Sequence, residues 1–170
     1  VSSDSKSTFV QDLRTKFGTE PFTDSKDPKN GSILYLRVGK GADTWIVTVN
    51  YQLYAPRKPQ GSHLVTYGVS VRNPRDSYHR EYGQAVAWMR RREADRTFLS
   101  GPRRAFWGNM TLEDGVAEAG RSGVTKAVIA RVTKHLSTDE YVPMPLRLAT
   151  VAATQDWANR QQEKEEHAHA

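Results

Sequence analysis

Trp45-Ile46-Val47-Thr48-Val49-Asn50-Tyr51-Gln52-Leu53 alternates strictly, with Trp45, Val47, Val49, Tyr51 and Leu53 on one side and Ile46, Thr48, Asn50 and Gln52 on the other. A period of two is the geometry of a β-strand. Val65–Val71 repeats it, setting Val65, Tyr67, Val69 and Val71 against Thr66, Gly68 and Ser70. One apolar and one polar side predict a half-buried sheet, its second face open to water or a partner. Upstream, Ile33–Val38 is apolar and partly alternating and reads as a further strand. Gly39-Lys40-Gly41-Ala42-Asp43 closes a tight turn, whereas the connection from Ala55 to Gly61 is longer and holds Pro56, Arg57, Lys58 and Pro59. A three-stranded antiparallel meander is the simplest path through these segments.

Helical spacing flanks the strands. Phe9, Val10, Leu13 and Phe17 recur at helical intervals before Gly18, and Thr19–Gly31 reads as a loop. After the last strand, Asn73 is a candidate cap and Pro74 a candidate first helical residue. The helix beginning there is expected to turn Tyr78, Tyr82, Ala85, Val86 and Met89 toward the sheet. Phe98–Gly108 reads as a loop, and Thr111 with Asp114 as a capping box for a short helix ending at Ala119. A break at Gly120–Gly123 precedes a helix with Val124, Val128, Ile129, Val132 and Leu136 inward. Pro143 and Pro145 suggest that Tyr141–Leu148 is extended, with a last helix from Thr154 burying Trp157. The fold class is therefore α+β: a three-stranded antiparallel β-meander packed against helices, with additional C-terminal helices. The expected division is a disordered N-terminus at 1–6, a core domain at 7–136, and an extended strap, helix and disordered tail at 137–170.

Composition narrows the function classes. Hydrophobic residues are 37% of the 170 and mean hydropathy is −0.70, so a small core and ample solvated surface are expected. There is no cysteine, which excludes disulfides, iron–sulfur clusters and thiolate zinc sites and fits a reducing cytosol. No apolar run reaches membrane-spanning length, and Val1–Lys6 lacks the apolar core of a signal peptide. The expected location is the cytoplasm, with no membrane partner.

Net charge is +6 and the pI is near 9.6, unevenly spread. Residues 1–62 carry nine basic and six acidic side chains, and residues 105–170 carry seven and nine. Residues 63–104 carry nine and four, and all nine are arginines. Arginine offers a planar fork that matches phosphate and carboxylate oxygens. Arg72, Arg75 and Arg80 surround the expected strand-to-helix junction, and Arg90, Arg91 and Arg92 follow in the helix. Backbone N–H groups at a helix start attract anions, and flanking guanidinium groups would complete a phosphate site. The opposing possibility is that Asp76 and Glu81 neutralise the arginines. Arg57 and Lys58 form a rim on one loop. Arg103, Arg104, Phe106 and Trp107 bring charge and stacking surface together on another, where at least one aromatic should be buried.

The junction resembles a motif of small, uncharacterised bacteriophage accessory proteins, in which a strand ends in Gly-x-x-x-x-x-Pro-Arg/Lys-Asp before an arginine-ended helix. The matching residues are Gly68, Asn73, Pro74, Arg75, Asp76, Tyr78, Gly83, Ala87 and Arg90, within a stretch of about 25 residues, while Trp88-Met89 departs from the small residues of the pattern. The resemblance implies a phage gene acting on host nucleic acid or host machinery in the host cytoplasm, and it brings no catalytic residues. The element order is also similar to the double-stranded-RNA-binding domain, whose basic cluster reads duplex shape.

Catalytic patterns are sparse. His63, His79 and His135 are scattered, and no nucleophile elbow, phosphate loop, zinc-protease or dinucleotide motif occurs. Asp76 and Glu81 would lie about 140° apart on a helix, too far round for a shared metal. The expectation is a non-catalytic protein without cofactor or metal, binding DNA, RNA or a nucleoprotein through Arg57, Lys58, Arg72, Arg75, Arg80, Arg90, Arg91, Arg92, Arg103, Arg104 and Trp107. One alternative is a phage-encoded inhibitor docking on an acidic surface of a host protein; another is a metal-dependent nuclease.

Overall fold

A computed structural model describes residues 2–59, 61–96 and 106–168. The class is α+β, built on four antiparallel strands in the order β1-β2-β3-β4: β1 Ser32–Val38, β2 Trp45–Tyr54, β3 His63–Arg72 and β4 Trp107–Leu112. Among the described residues five α-helices accompany them: α1 Ser3–Phe17, α2 Arg80–Arg96, α3 Asp114–Glu118, α4 Gly120–Thr138 and α5 Met144–Ala168. The expected count of three strands is corrected by β4, which occupies the end of the stretch read as a loop. Its register sets Trp107 opposite Gly68 and Leu112 opposite His63. Thr111, expected to cap a helix, lies within this strand.

The alternation of β2 and β3 holds residue by residue. Val47, Val49, Tyr51, Val65, Tyr67 and Val69 pack in one core with Val124, Val128, Val132 and Leu136 of α4 and Leu146 of α5. The Tyr51 hydroxyl lies 2.6 Å from the Thr125 hydroxyl, so even the polar end of the largest fully buried side chain is hydrogen-bonded.

The polar face is buried too, against expectation, because α2 lies on it. Thr48, Asn50, Thr66 and Ser70 are all buried. Their small size permits the approach, and Gly68 and Gly83 permit it most. A Cβ on Gly68 would fall 2.1 Å from the Ala87 carbonyl oxygen and 2.2 Å from the Arg91 nitrogen. One on Gly83 would fall 3.3 Å from both the Ser70 and Thr48 hydroxyls. The sheet-facing stripe of α2 is therefore Gln84, Ala87 and Arg91, while Tyr78 and Met89, expected inward, are exposed. The outer side of α2 packs on α1 through Leu13, Ala85 and Trp88, joined by Phe9, Phe17 and Phe22. The layers run α1, α2, sheet, then α4 with α5.

Three element ends differ from expectation. Helix α1 begins at Ser3, with the Ser2 hydroxyl accepting from the Ser5 N–H. Asn73 and Pro74 form a turn: the Asn73 side-chain oxygen accepts from the Arg75 N–H, and the Asn73 carbonyl from the Asp76 N–H. Helix α2 begins six residues after Pro74, and the His79 ring caps it, Nδ1 accepting from the Tyr82 N–H at 3.1 Å. The segment expected to be an extended strap turns helical at Met144, with Pro145 in the first turn, where a missing N–H costs no helical bond.

Candidate nucleic-acid interface

The connection between β3 and α2 carries the guanidinium groups singled out in the sequence. Arg72 donates from Nε to the Asp76 backbone oxygen at 3.0 Å and lies 5.8 Å from the centre of the Tyr78 ring. Arg75 is exposed on the Asn73 turn. Arg80 stacks over Tyr35 at 5.3 Å, and its Nε donates to the Tyr35 hydroxyl at 3.3 Å. That bond raises the Arg80 pKa above its ordinary value. Among the described residues, none of the three forms an ion pair. Glu81, one of the two carboxylates weighed as neutralising the junction, is taken by Arg14 of α1.

The triple-arginine run divides instead of forming a surface, because successive helical residues point about 100° apart. Arg90 leans on the sheet edge, donating from Nη1 to the Val69 carbonyl at 2.6 Å and covering Phe106 at 4.8 Å; burial lowers its pKa. Arg91 turns inward, its side chain only 6% exposed, and donates to Gln52 at 2.5 Å and Asp95 at 3.0 Å. Arg92 lies on the aromatic cluster under α1, 4.7 Å from Phe17 and 4.8 Å from Trp88. Arg57 and Lys58 are exposed, but at the far end of β2, roughly 30 Å of strand away from the junction. Trp107 is half-buried at the start of β4. Arg103 and Arg104 lie outside the described residues.

The register adds two cations that the sequence reading passed over. Arg37, Ile46 and Arg72 are aligned across β1, β2 and β3, so Arg37 and Arg72 stand on one face with Ile46 between them. The signal was present: Leu34, Leu36 and Val38 are apolar, which leaves Tyr35 and Arg37 on the other side. Lys6 reaches the same end of α2, donating to the Ser77 carbonyl at 3.2 Å and facing the Tyr82 ring at 5.5 Å. Arg37, Arg72, Arg75 and Arg80 thus gather at one end of the sheet.

Two concavities flank this connection. The larger, about 770 Å³, runs between the β1–β2 turn and the first turn of α5, with Trp45, Phe106, Pro143 and Pro145 among its walls and Asp43, Arg75 and Asp76 lining it. The smaller, about 220 Å³, lies on the α2 side, where Lys6, Arg72 and His79 contribute. Asp76 and Arg90 border both.

Among the described residues no group of three or more His, Asp or Glu side chains is arranged to hold a metal ion, and no helix is long and apolar enough to cross a membrane. The chain matches no protein-family model, no curated protein and no solved structure.

Proposed function

We propose that this chain is a non-catalytic binding protein for nucleic acid or a nucleoprotein, held through Arg37, Arg72, Arg75 and Arg80 at the end of the sheet. The observation that carries this reading is that, among the described residues, the Arg72, Arg75 and Arg80 guanidinium groups form no ion pair, against the ion pairing of Arg91 inside. A folded chain that satisfies its interior arginine with an acid, and props its surface arginines on a backbone oxygen and an aromatic hydroxyl, leaves their forks turned to an external anion. Phosphate suits them because a guanidinium fork makes paired, charge-assisted bonds to it. The phage-like motif spans this same junction and agrees with an accessory role at host nucleic acid.

The test is an electrophoretic shift with nuclease-treated protein at low salt. Wild type retards DNA or RNA, and the Arg72→Ala/Arg75→Ala/Arg80→Ala variant, folded by circular dichroism, does not. No retardation by wild type at low salt removes the reading.

A further inference from the structure

The larger cleft is lined by apolar walls and by charges of both signs. Asp43 and Asp76 line it together with Arg75 and Arg90, so its charges balance, whereas Trp45, Phe106 and two prolines give it flat apolar walls. Phe106 is fixed on both sides, its carbonyl accepting from the Val69 N–H at 2.7 Å and its ring lying under the Arg90 guanidinium. A volume of about 770 Å³ is within the range of small-molecule sites and exceeds what one planar ring requires. The group that suits such walls is planar and uncharged, with N–H donors on its edge for the two carboxylates. A nucleobase is that group. A paired base inside a duplex has its faces stacked and its edge engaged, so only an unpaired base can enter.

Resting on the nucleic-acid reading, we propose that this cleft takes one unpaired base of a single-stranded nucleic acid, with the adjoining phosphates outside on Arg75 and Arg72. The protein then prefers single strands to duplexes, because the arginine surface serves both while the cleft serves only one.

Fluorescence anisotropy at one low salt concentration, with oligonucleotides of about 12 nucleotides, tests this. The probes are a single strand, its duplex, and a single strand of equal length with abasic sugars. Stacking of one base predicts that wild type binds the single strand about tenfold more tightly than the duplex or the abasic strand. Ala42 is exposed on the cleft's turn, so Ala42→Trp fills the cleft from outside the core. That variant should lose the about tenfold advantage and keep duplex binding within about twofold. The abasic comparison needs no variant and stands even if Ala42→Trp is unstable. Equal binding of all three probes by wild type overturns the cleft proposal and leaves the arginine surface standing. Binding of none overturns both.

Discussion

Arg91 and Arg72 are the same residue type put to opposite uses, and the difference is what surrounds the guanidinium. Around Arg91, Asp95 accepts from the buried guanidinium and from the hydroxyls of Thr66 (2.6 Å) and Tyr54 (3.1 Å), so one carboxylate organises the polar layer between α2 and the sheet. Removing it leaves a desolvated cation. Asp95→Ala should lower unfolding free energy in urea by about 3 kcal/mol, the low end for broken buried pairs because Asp95 keeps 29% of its exposure. Replacing both charges, as in Arg91→Met/Asp95→Leu, should recover most of that loss. Tyr54 reports on the same layer: burial first, then the Asp95 charge, raises its pKa above the ordinary tyrosine value. The folded chain therefore holds that proton more tightly than the unfolded chain, and the contribution is complete below about pH 10 and lost as pH rises through the folded pKa. Tyr54→Phe should flatten this alkaline decline, read from melting temperatures between neutral pH and about pH 11. Gly68 is the steric counterpart. Because its Cβ would strike the backbone of α2, Gly68→Ala must lift the helix, at a cost of about 3 kcal/mol in the same urea assay.

At the scale of elements, what sequence revealed depended on whether the signal was local. Strands β2 and β3 were legible because each carries its own alternation. The inward side of α4 was legible in the same way, from the spacing of Val124, Val128, Val132 and Leu136. Strand β4 was not: Gly108 and Asn109 are poor strand signals, Thr111 read as a helix cap, and the pairing is supplied by β3. The polar face of the sheet misled for a related reason, since Thr48, Thr66 and Ser70 look solvated until Gly68 and Gly83 let a helix settle on them. Pro143 and Pro145 read as an extended strap because a proline fits a first helical turn and a loop equally well, and the helix is decided by the residues after it. The start of α2 belongs with these: Asn73-Pro74 carries a cap signal that the chain spends on a turn, and His79 caps instead. His79→Ala should cost about 1 kcal/mol by leaving the Tyr82 N–H without its acceptor, and His79→Asn, which offers a side-chain oxygen, should cost little. Both are read by thermal melts. Because Arg80 is the first residue of α2, His79→Ala should also weaken nucleic-acid binding while His79→Asn does not.

At the scale of the whole molecule, the excess of arginine between residues 63 and 104 was legible, but its division was not. Composition counts charges; only the fold says that Arg91 faces the sheet, that Arg92 lies on an aromatic cluster, and that Arg37, from a distant stretch, joins Arg72 across one strand. This redistribution has a measurable consequence. Each phosphate neutralised releases counterions, so the logarithm of the binding constant falls linearly with the logarithm of salt, by about 0.9 per contact on duplex DNA and about 0.7 on single strands. On the proposed nucleic-acid reading, four guanidinium groups at the sheet end predict slopes of about −3.6 and about −2.8. Arg75→Ala should make each shallower by about one contact's worth, and Arg91→Met should leave both unchanged because its charge never meets the ligand. Titrations between about 50 and 200 mM salt separate these outcomes. A slope of about −6 or steeper on duplex DNA would mean that cations such as Arg57 and Lys58, roughly a strand's length away, are engaged as well, and the target would then have to span the sheet from end to end.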